Sequence, residues 1–256
     1  MDFLTAYHTD KGIRKKINQD GLLINVAKTS KGKVALFAVC DGMGGLQQGE
    51  LASATVIRGL KNWFDNELKE LINSENINGE GAILLNLEEY IKELNEKILK
   101  YGEENNVKLG TTVTALLTVY DNYYIFHIGD SRAYKVENGL IQLTNDHTLV
   151  SREVSRGNLT AEEAKIHPRK NVLLQCIGAT RVIDPQIVSG KLKINTFYIL
   201  CSDGFYHKIS DLEVLNKLNK NINTEKEMKN IAIELVELVK SRKELDNITA
   251  MIIKAI

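Results

Sequence analysis

The sequence is poor in the features that would assign it to a special environment. Only two prolines, Pro168 and Pro185, stand in 256 residues, and no Ser/Pro-rich tract marks a linker. Three cysteines, Cys40, Cys176 and Cys201, are too few and too apolar in context for a disulfide framework. They read as buried thiols that pack as small hydrophobes. None opens a C-x5-R phosphate loop, because Leu46, Val182 and His207 stand where the arginine would be. Phosphatase chemistry on a cysteine nucleophile is thereby disfavoured. Net charge is absent as well: 33 Lys and Arg balance 33 Asp and Glu. That leaves no overall electrostatic footprint for nucleic acid or an anionic membrane, with a local basic patch left open. No apolar run approaches the length of a membrane span. Met1-Asp2-Phe3-Leu4 lacks the basic region and apolar core of a signal peptide. No internal repeat is visible. The expectation is a cytoplasmic, monomeric protein with no nucleic-acid or membrane partner. The length suits one large domain or two small ones, and without a linker residues 1–256 read as one.

What the chain does have is acids at the ends of apolar runs. Val34 to Cys40 reads as a buried strand and stops on Asp41-Gly42-Met43-Gly44-Gly45. A carboxylate at the end of a buried strand is costly unless it is paired or binds a cation. The glycines let the backbone turn sharply and bring a carbonyl beside it. An oxygen-rich hard-cation site is one reading; a tight turn with an N-capping Asp is the other. The pattern recurs at Asn18-Gln19-Asp20, Ile128-Gly129-Asp130-Ser131-Arg132, Leu200-Cys201-Ser202-Asp203-Gly204 and Leu245-Asp246-Asn247-Ile248-Thr249. Each acid alone is more often a turn residue than a ligand. Five of them beside apolar strands suggest one convergent site.

The remaining periodicity places these motifs. Phe3–His8 and Leu22–Val26 are short strands, and 30–33 turn the chain into Val34–Cys40. Leu51, Val56, Leu60, Trp63, Phe64, Leu68 and Leu71 recur at helical spacing. Residues 73–81 are polar, with two glycines, hence a loop. Ile83, Leu87, Ile91, Leu94 and Ile98 mark a second long helix. Thr112–Tyr120 and Tyr123–Ile128 flank a turn at Asp121-Asn122, and Arg132–Val136 and Leu140–Leu143 flank a two-residue hairpin signal, Asn138-Gly139. Residues 144–182 are polar with short helical pieces. Thr160-x-x-Glu163, Ser210-x-x-Glu213 and Thr224-x-x-Glu227 read as capping boxes, and His167-Pro168 ends the first of those helices. Phe197–Cys201 and Asn247–Ile253 are further strands. Consecutive hairpins imply antiparallel pairing, so the expected fold is layered, with mostly antiparallel sheets and helices outside.

In order along the chain, Asn18-Gln19-Asp20, Asp41-Gly42-Met43-Gly44-Gly45, Gly110-Thr111-Thr112, Gly129-Asp130-Ser131-Arg132, Ser202-Asp203-Gly204 and Asp246-Asn247-Ile248-Thr249 resemble the metal-dependent protein phosphatases of type 2C. Asp146-His147-Thr148-Leu149-Val150, Gly157-Asn158-Leu159-Thr160 and His167-Pro168-Arg169-Lys170-Asn171 resemble the flap of the bacterial branch. The resemblance runs from about Tyr7 to Ile253. It implies an α+β fold, a four-layer α-β-β-α sandwich of two antiparallel sheets flanked by helices, with a flap at about 144–182. It implies a serine/threonine phosphatase acting on the phosphoprotein substrates of a kinase, through a metal-bound water held by Asp20 and Asp41. Asp41 would bridge two Mn²⁺ or Mg²⁺ ions. The Gly42 carbonyl would help hold one, Asp203 and Asp246 the other, and Asp130 would join Asp203 at a weaker third. A catalytically weak relative that only binds a phosphorylated partner, and a dedicated partner-switch phosphatase, are the alternatives.

Two departures stand out. Met43 occupies the position where many eukaryotic members carry a histidine able to act as general acid, so leaving-group protonation falls to metal-bound water or another group. Lys15 occupies the position of a phosphate-binding arginine, with Arg14 the alternative. The histidines, His8, His127, His147, His167 and His207, all lie outside the acidic motifs and read as packed or hydrogen-bonded side chains. A dinucleotide-binding reading of Gly42-x-Gly44 fails because Gln47 stands where the third glycine belongs.

Overall fold

A computed structural model describes residues 1–43, 48–73, 80–218 and 221–256. Ten strands form two five-stranded sheets. In the first sheet β1 (Phe3–Asp10), β10 (Ile248–Ala255), β9 (Phe197–Cys201), β6 (Arg132–Val136) and β7 (Leu140–Gln142) follow in that order. The second runs β2 (Gly21–Thr29), β3 (Gly32–Cys40), β4 (Val113–Val119), β5 (Asn122–Ile128), β8 (Gln186–Lys191). Every pairing is antiparallel.

The continuous apolar run of β3 follows from burial on both faces. Leu36, Ala38 and Cys40 face the helices α1 (Gly49–Asn62) and α3 (Glu80–Asn105), while Ala35, Phe37 and Val39 face the other sheet. β10 does the same: Ala250 and Ile252 pack on α7 (Asp211–Leu218) and α8 (Glu225–Ser241), and Met251 and Ile253 fill the space between sheets. Each fully buried side chain of this kind contributes about 1.5–3 kcal/mol relative to exposure. The result is the expected sandwich, helices outside and two sheets within. Among the described residues no helix is long and apolar enough to cross a membrane.

Several local expectations hold. The boxes at Thr160, Ser210 and Thr224 are formed, each hydroxyl accepting from the N–H three residues on and each Glu accepting back. His167 caps the short α5 (Ala161–Ile166), and α4 (Leu149–Ser155) starts on Thr148, whose side chain accepts from Ser151 N–H. Others are corrected. The helix over 51–71 is interrupted by a π-turn at Trp63–Glu67 before α2 (Leu68–Asn73), with Trp63 and Phe64 buried in it; such single-turn π segments inside α-helices are rare. Of the loop expected at 73–81, Asn73 belongs to α2, and Glu80 and Gly81 to α3; 74–79 lie outside the described residues. The β4–β5 turn is Tyr120-Asp121, since Val119 pairs with Asn122. Tyr120 takes φ +55°, a conformation with no residue-type signal for an aromatic. The β6–β7 loop has three residues, with Val136 opposite Leu140 and Glu137 N–H donating to the Gly139 carbonyl. β8 is an edge strand that the periodicity does not announce: its side chains are only half-buried at best, so Gln186–Lys191 lacks a core-facing apolar row. A one-turn α6 (Asp203–Tyr206) opens directly on the Ser202-Asp203 motif.

Candidate metal centre

Antiparallel register carries the acids to one end of the sandwich. Gly21 pairs with Cys40, so Asp20 and Asp41 leave neighbouring strand ends. Arg132 and Ala250 both pair with Cys201, which brings the turns of Asp130, Asp203 and Asp246 to the same edge.

Each turn is fixed from its own motif. Thr112 N–H donates to the Asp41 carbonyl at 2.9 Å and the Thr111 hydroxyl donates to the same oxygen at 2.9 Å. Asp41 N–H donates to Thr112 Oγ1 at 2.9 Å, which in turn shares a 2.7 Å hydrogen bond with Ser131 Oγ. Gly110-Thr111-Thr112 is therefore a cradle for the Asp41 backbone and ties it to the Asp130 turn. Gly42 is wedged between the Gln19 and Gly49 carbonyls, where any Cβ would collide with backbone. Gly44 and Gly45 lie outside the described residues.

Asp20 is held by residues with no role assigned from sequence. Its Oδ2 accepts from Thr249 Oγ1 at 2.6 Å and from Ser202 Oγ at 2.9 Å. Both donors sit inside the motifs quoted above, but nothing in their spacing says which acid they serve. The other oxygen, Asp20 Oδ1, is buried without a partner, and so is Asp203 Oδ1. Buried carboxylate oxygens without a partner are rare in a native protein, and a cation supplies the partner these two lack.

Charge repulsion gives the same indication. Burial, then the neighbouring Asp203 and Asp246 carboxylates, raise Asp20 to about 7 against the two hydroxyl donors. Burial raises Asp41 well above the usual range, followed by repulsion from Asp20, Asp203, Asp130 and Asp246. Asp130 is raised by burial, Asp203 and Asp146. Asp203 is raised by burial and Asp246, with His207 opposing. Asp20, Asp41, Asp130 and Asp203, raised in this way, are stabilised as carboxylates by a neighbouring cation. An all-oxygen donor set with no thiolate or imidazole suits Mg²⁺ or Mn²⁺. The residues present fit such a centre.

Lys15 Nζ lies 2.6 Å from Asp246 Oδ1, with side chains 27% and 39% exposed. Arg14, the alternative, is exposed and makes no ion pair among the described residues. His207, read from sequence as lying apart from the acids, has Nε2 3.8 Å from Asp203 Oδ2 and Nδ1 3.8 Å from the buried Glu244. The available signal was its i, i+4 spacing from Asp203. His127 behaves as a packed histidine: it is buried, its Nδ1 pairs with Thr114 Oγ1 at 2.9 Å, and burial lowers it to about 3. The cysteines are buried and free, and burial pushes the Cys201 thiol up to about 12. Thiolate chemistry has no support at this site.

The 144–182 segment is tied in at both ends. Arg132 grips Asp146 through Nε at 2.9 Å and Nη2 at 2.7 Å. Thr111 and Ile177 exchange backbone hydrogen bonds at 3.0 and 2.9 Å, and Thr111 also bridges Gly42.

Comparison with known proteins agrees with this geometry. Residues 8–247 match the family model described as Protein phosphatase 2C. The protein phosphatase PhpP of Streptococcus pneumoniae is 31% identical over 254 residues, covering 96% of this chain and 94% of that protein. The serine/threonine phosphatase of S. agalactiae superposes with a TM-score of 0.84 at 30% identity, covering 100% of both chains. A crystal structure of the catalytic domain of the serine/threonine protein phosphatase PstP, in complex with two manganese ions, superposes with a TM-score of 0.78 at 28% identity, over 98% of this chain and 97% of that one.

Proposed function

This chain belongs to the protein phosphatase 2C family, and on that premise we propose that it is a divalent-metal-dependent serine/threonine protein phosphatase that hydrolyses phosphoserine and phosphothreonine in proteins. The observation that supports it most is the convergence of the Asp20, Asp41, Asp130, Asp203 and Asp246 carboxylates, with one oxygen each of Asp20 and Asp203 buried and unpartnered. Residues 1–256 would act as one catalytic domain, with 144–182 as a flap beside the cleft.

Asp41, the Gly42 carbonyl, Asp203 and Asp246 would hold two Mn²⁺ or Mg²⁺ ions, and Asp130 with Asp203 a weaker third. Such ions, when bound, neutralise a phosphate dianion and lower the pKa of water, which a slow reaction like phosphomonoester hydrolysis requires. The protein's own part is positional. Ser202 and Thr249 fix one oxygen of Asp20 and leave the other free, so that Asp20 and Asp41 would orient the attacking water. Lys15, at the mouth of the site, would pair with the substrate phosphate. Its ammonium binds as a point charge, without the planar fork of an arginine.

Retention of all five acids disfavours a silent phosphoprotein-binding relative. Assay of matched phosphoserine, phosphothreonine and phosphotyrosine peptides, with Mn²⁺ and with chelator, tests the proposal. Turnover of the first two with Mn²⁺ and none with chelator is expected. Undiminished turnover in chelator would overturn it.

A further inference from the structure

Residues 11–18, Lys11-Gly12-Ile13-Arg14-Lys15-Lys16-Ile17-Asn18, form most of the β1–β2 connection, which ends on Asp20, and carry four cations and no acid, in a chain whose total charge is zero. Hydrogen bonds fix the loop at both ends. The Asn247 side-chain amide donates to the Lys11 carbonyl at 3.0 Å and the Ile17 carbonyl at 3.1 Å, and Asn247 Oδ1 accepts from Gln19 N–H at 3.0 Å. Gly12, at φ +72°, packs so closely on the Asp246 carbonyl that no Cβ would fit. Asn18 Nδ2 donates to Thr9 Oγ1 at 2.7 Å. One buried asparagine beside a candidate metal ligand thus pins both ends of a basic loop against the mouth of the site.

Among the described residues, Lys15 is the one cation of the loop with an ionic partner, and that partner is Asp246. Lys11, Arg14 and Lys16 are exposed, and their side chains make no ion pair or hydrogen bond among the described residues. Arg14 and Lys16 flank Lys15 in sequence, with Cα atoms ~3.8 Å from its own, so the three cations share one short stretch of the loop. Like charges concentrated on a pinned loop repel one another and add nothing to folding. They are suited to a polyanionic ligand, and because the loop is already ordered, binding one costs little further entropy.

We propose that loop 11–18 is a docking rim for acidic side chains flanking the phosphorylated residue, so that the preferred substrates are acidic phosphopeptide segments. This rests on the phosphatase reading and adds the chemical class of the substrate. Exposed charge pairs contribute little singly and are screened by salt. Three acting together should discriminate about tenfold at low ionic strength.

The probes are three fluorescein-labelled peptides bearing a non-hydrolysable phosphonate analogue of phosphothreonine, identical except for three flanking Asp, Ser or Lys residues. Binding is read by fluorescence anisotropy. The Asp peptide should bind about tenfold more tightly than the Ser peptide, and the Lys peptide more weakly still. The differences should collapse near 0.5 M salt. The triple substitution Lys11→Ser, Arg14→Ser, Lys16→Ser should bind all three alike while its circular dichroism stays native. Equal binding of the three by the unsubstituted protein overturns the proposal, as does unchanged discrimination in a natively folded triple variant. Turnover of the matching phosphopeptides is measured separately. Discrimination in binding with no turnover sinks the phosphatase reading and leaves the docking rim standing, and turnover without discrimination does the reverse.

Discussion

The guanidinium of Arg132 lies 3.6 Å from the centroid of the Tyr206 ring. From there it grips Asp146 with two nitrogens and donates to Tyr134 Oη at 3.1 Å, while Tyr206 Oη donates to the Asp130 carbonyl at 3.0 Å. One side chain thus ties Asp146, near the start of the 144–182 segment, to the turn that presents Asp130. Lysine can reproduce neither the fork nor the stacking. Arg132→Lys should therefore cost about 1–3 kcal/mol of stability, since the Asp146 carboxylate would be left under-satisfied in a half-buried position. Urea unfolding measures this. Amide exchange over 146–150 should quicken more than exchange in β3, and an equal change in both would show that the pair does not anchor the 144–182 segment.

Charge neutralisation at the acid cluster should separate activity from stability. Asp41→Asn removes a carboxylate that is repelled by Asp20, Asp203, Asp130 and Asp246. In metal-free protein it should raise the melting temperature. In the same variant turnover should fall by more than the ~10–100-fold typical of residues one shell further out from a metal. Asp203→Asn and Asp246→Asn should lose activity likewise. Full turnover by Asp41→Asn at saturating Mn²⁺ would contradict a bridging role for Asp41.

The same repulsion gives the metal-free protein a pH dependence of definite sign. The folded-state pKa of Asp20 is raised from 3.8 to about 7, by burial first and then by Asp203 and Asp246. Between these values the folded state holds a proton that the unfolded chain has released. The contribution of Asp20 to stability is therefore fully present below pH 3.8 and is lost as pH rises through about 7. Metal-free protein should lose thermal stability across that window. Saturating Mn²⁺ should oppose the loss by binding the deprotonated cluster of the native state. The check is a series of melts with chelator and with Mn²⁺; stability that rises with pH in chelator would contradict the crowding of these acids.

How legible the protein was depended on burial and on chain distance. β3 and β10 read clearly because Val34–Cys40 and Ile248–Ile253 are buried on both faces and hold only apolar or small residues. β8 did not, because an edge strand with Ser189 and Gly190 in its middle satisfies backbone pairing without a core-facing row. The π-turn was hidden because Trp63 and Phe64 fit either helical period within a residue. At the centre, the acids themselves were visible as strand-end carboxylates. Their supports were not: Ser202 and Thr249 reach Asp20, and Asn247 reaches Lys11 and Ile17, across most of the chain, and no local pattern encodes such pairings.

Lys15 tests the site from the substrate side. Its ammonium is paired with Asp246 at 2.6 Å, so it lies where a phosphate beside that carboxylate would meet it. Lys15→Ala should raise KM more than it lowers kcat, if the contact is equally strong in ground and transition states. A charged hydrogen bond is worth about 1.5–3 kcal/mol, so kcat/KM should fall roughly ten- to a hundredfold. Lys15→Arg should preserve or improve it by adding a second donor to the phosphate. The ion pair adds a second consequence, read by calorimetry without substrate. Removing the ammonium frees Asp246, so Lys15→Ala should bind Mn²⁺ more tightly than the unsubstituted protein. Arg14→Ala is the control, because Arg14 does not contact Asp246 and should leave Mn²⁺ affinity unchanged. If Lys15→Ala is silent in both measurements while Arg14→Ala raises KM, the phosphate ligand is Arg14.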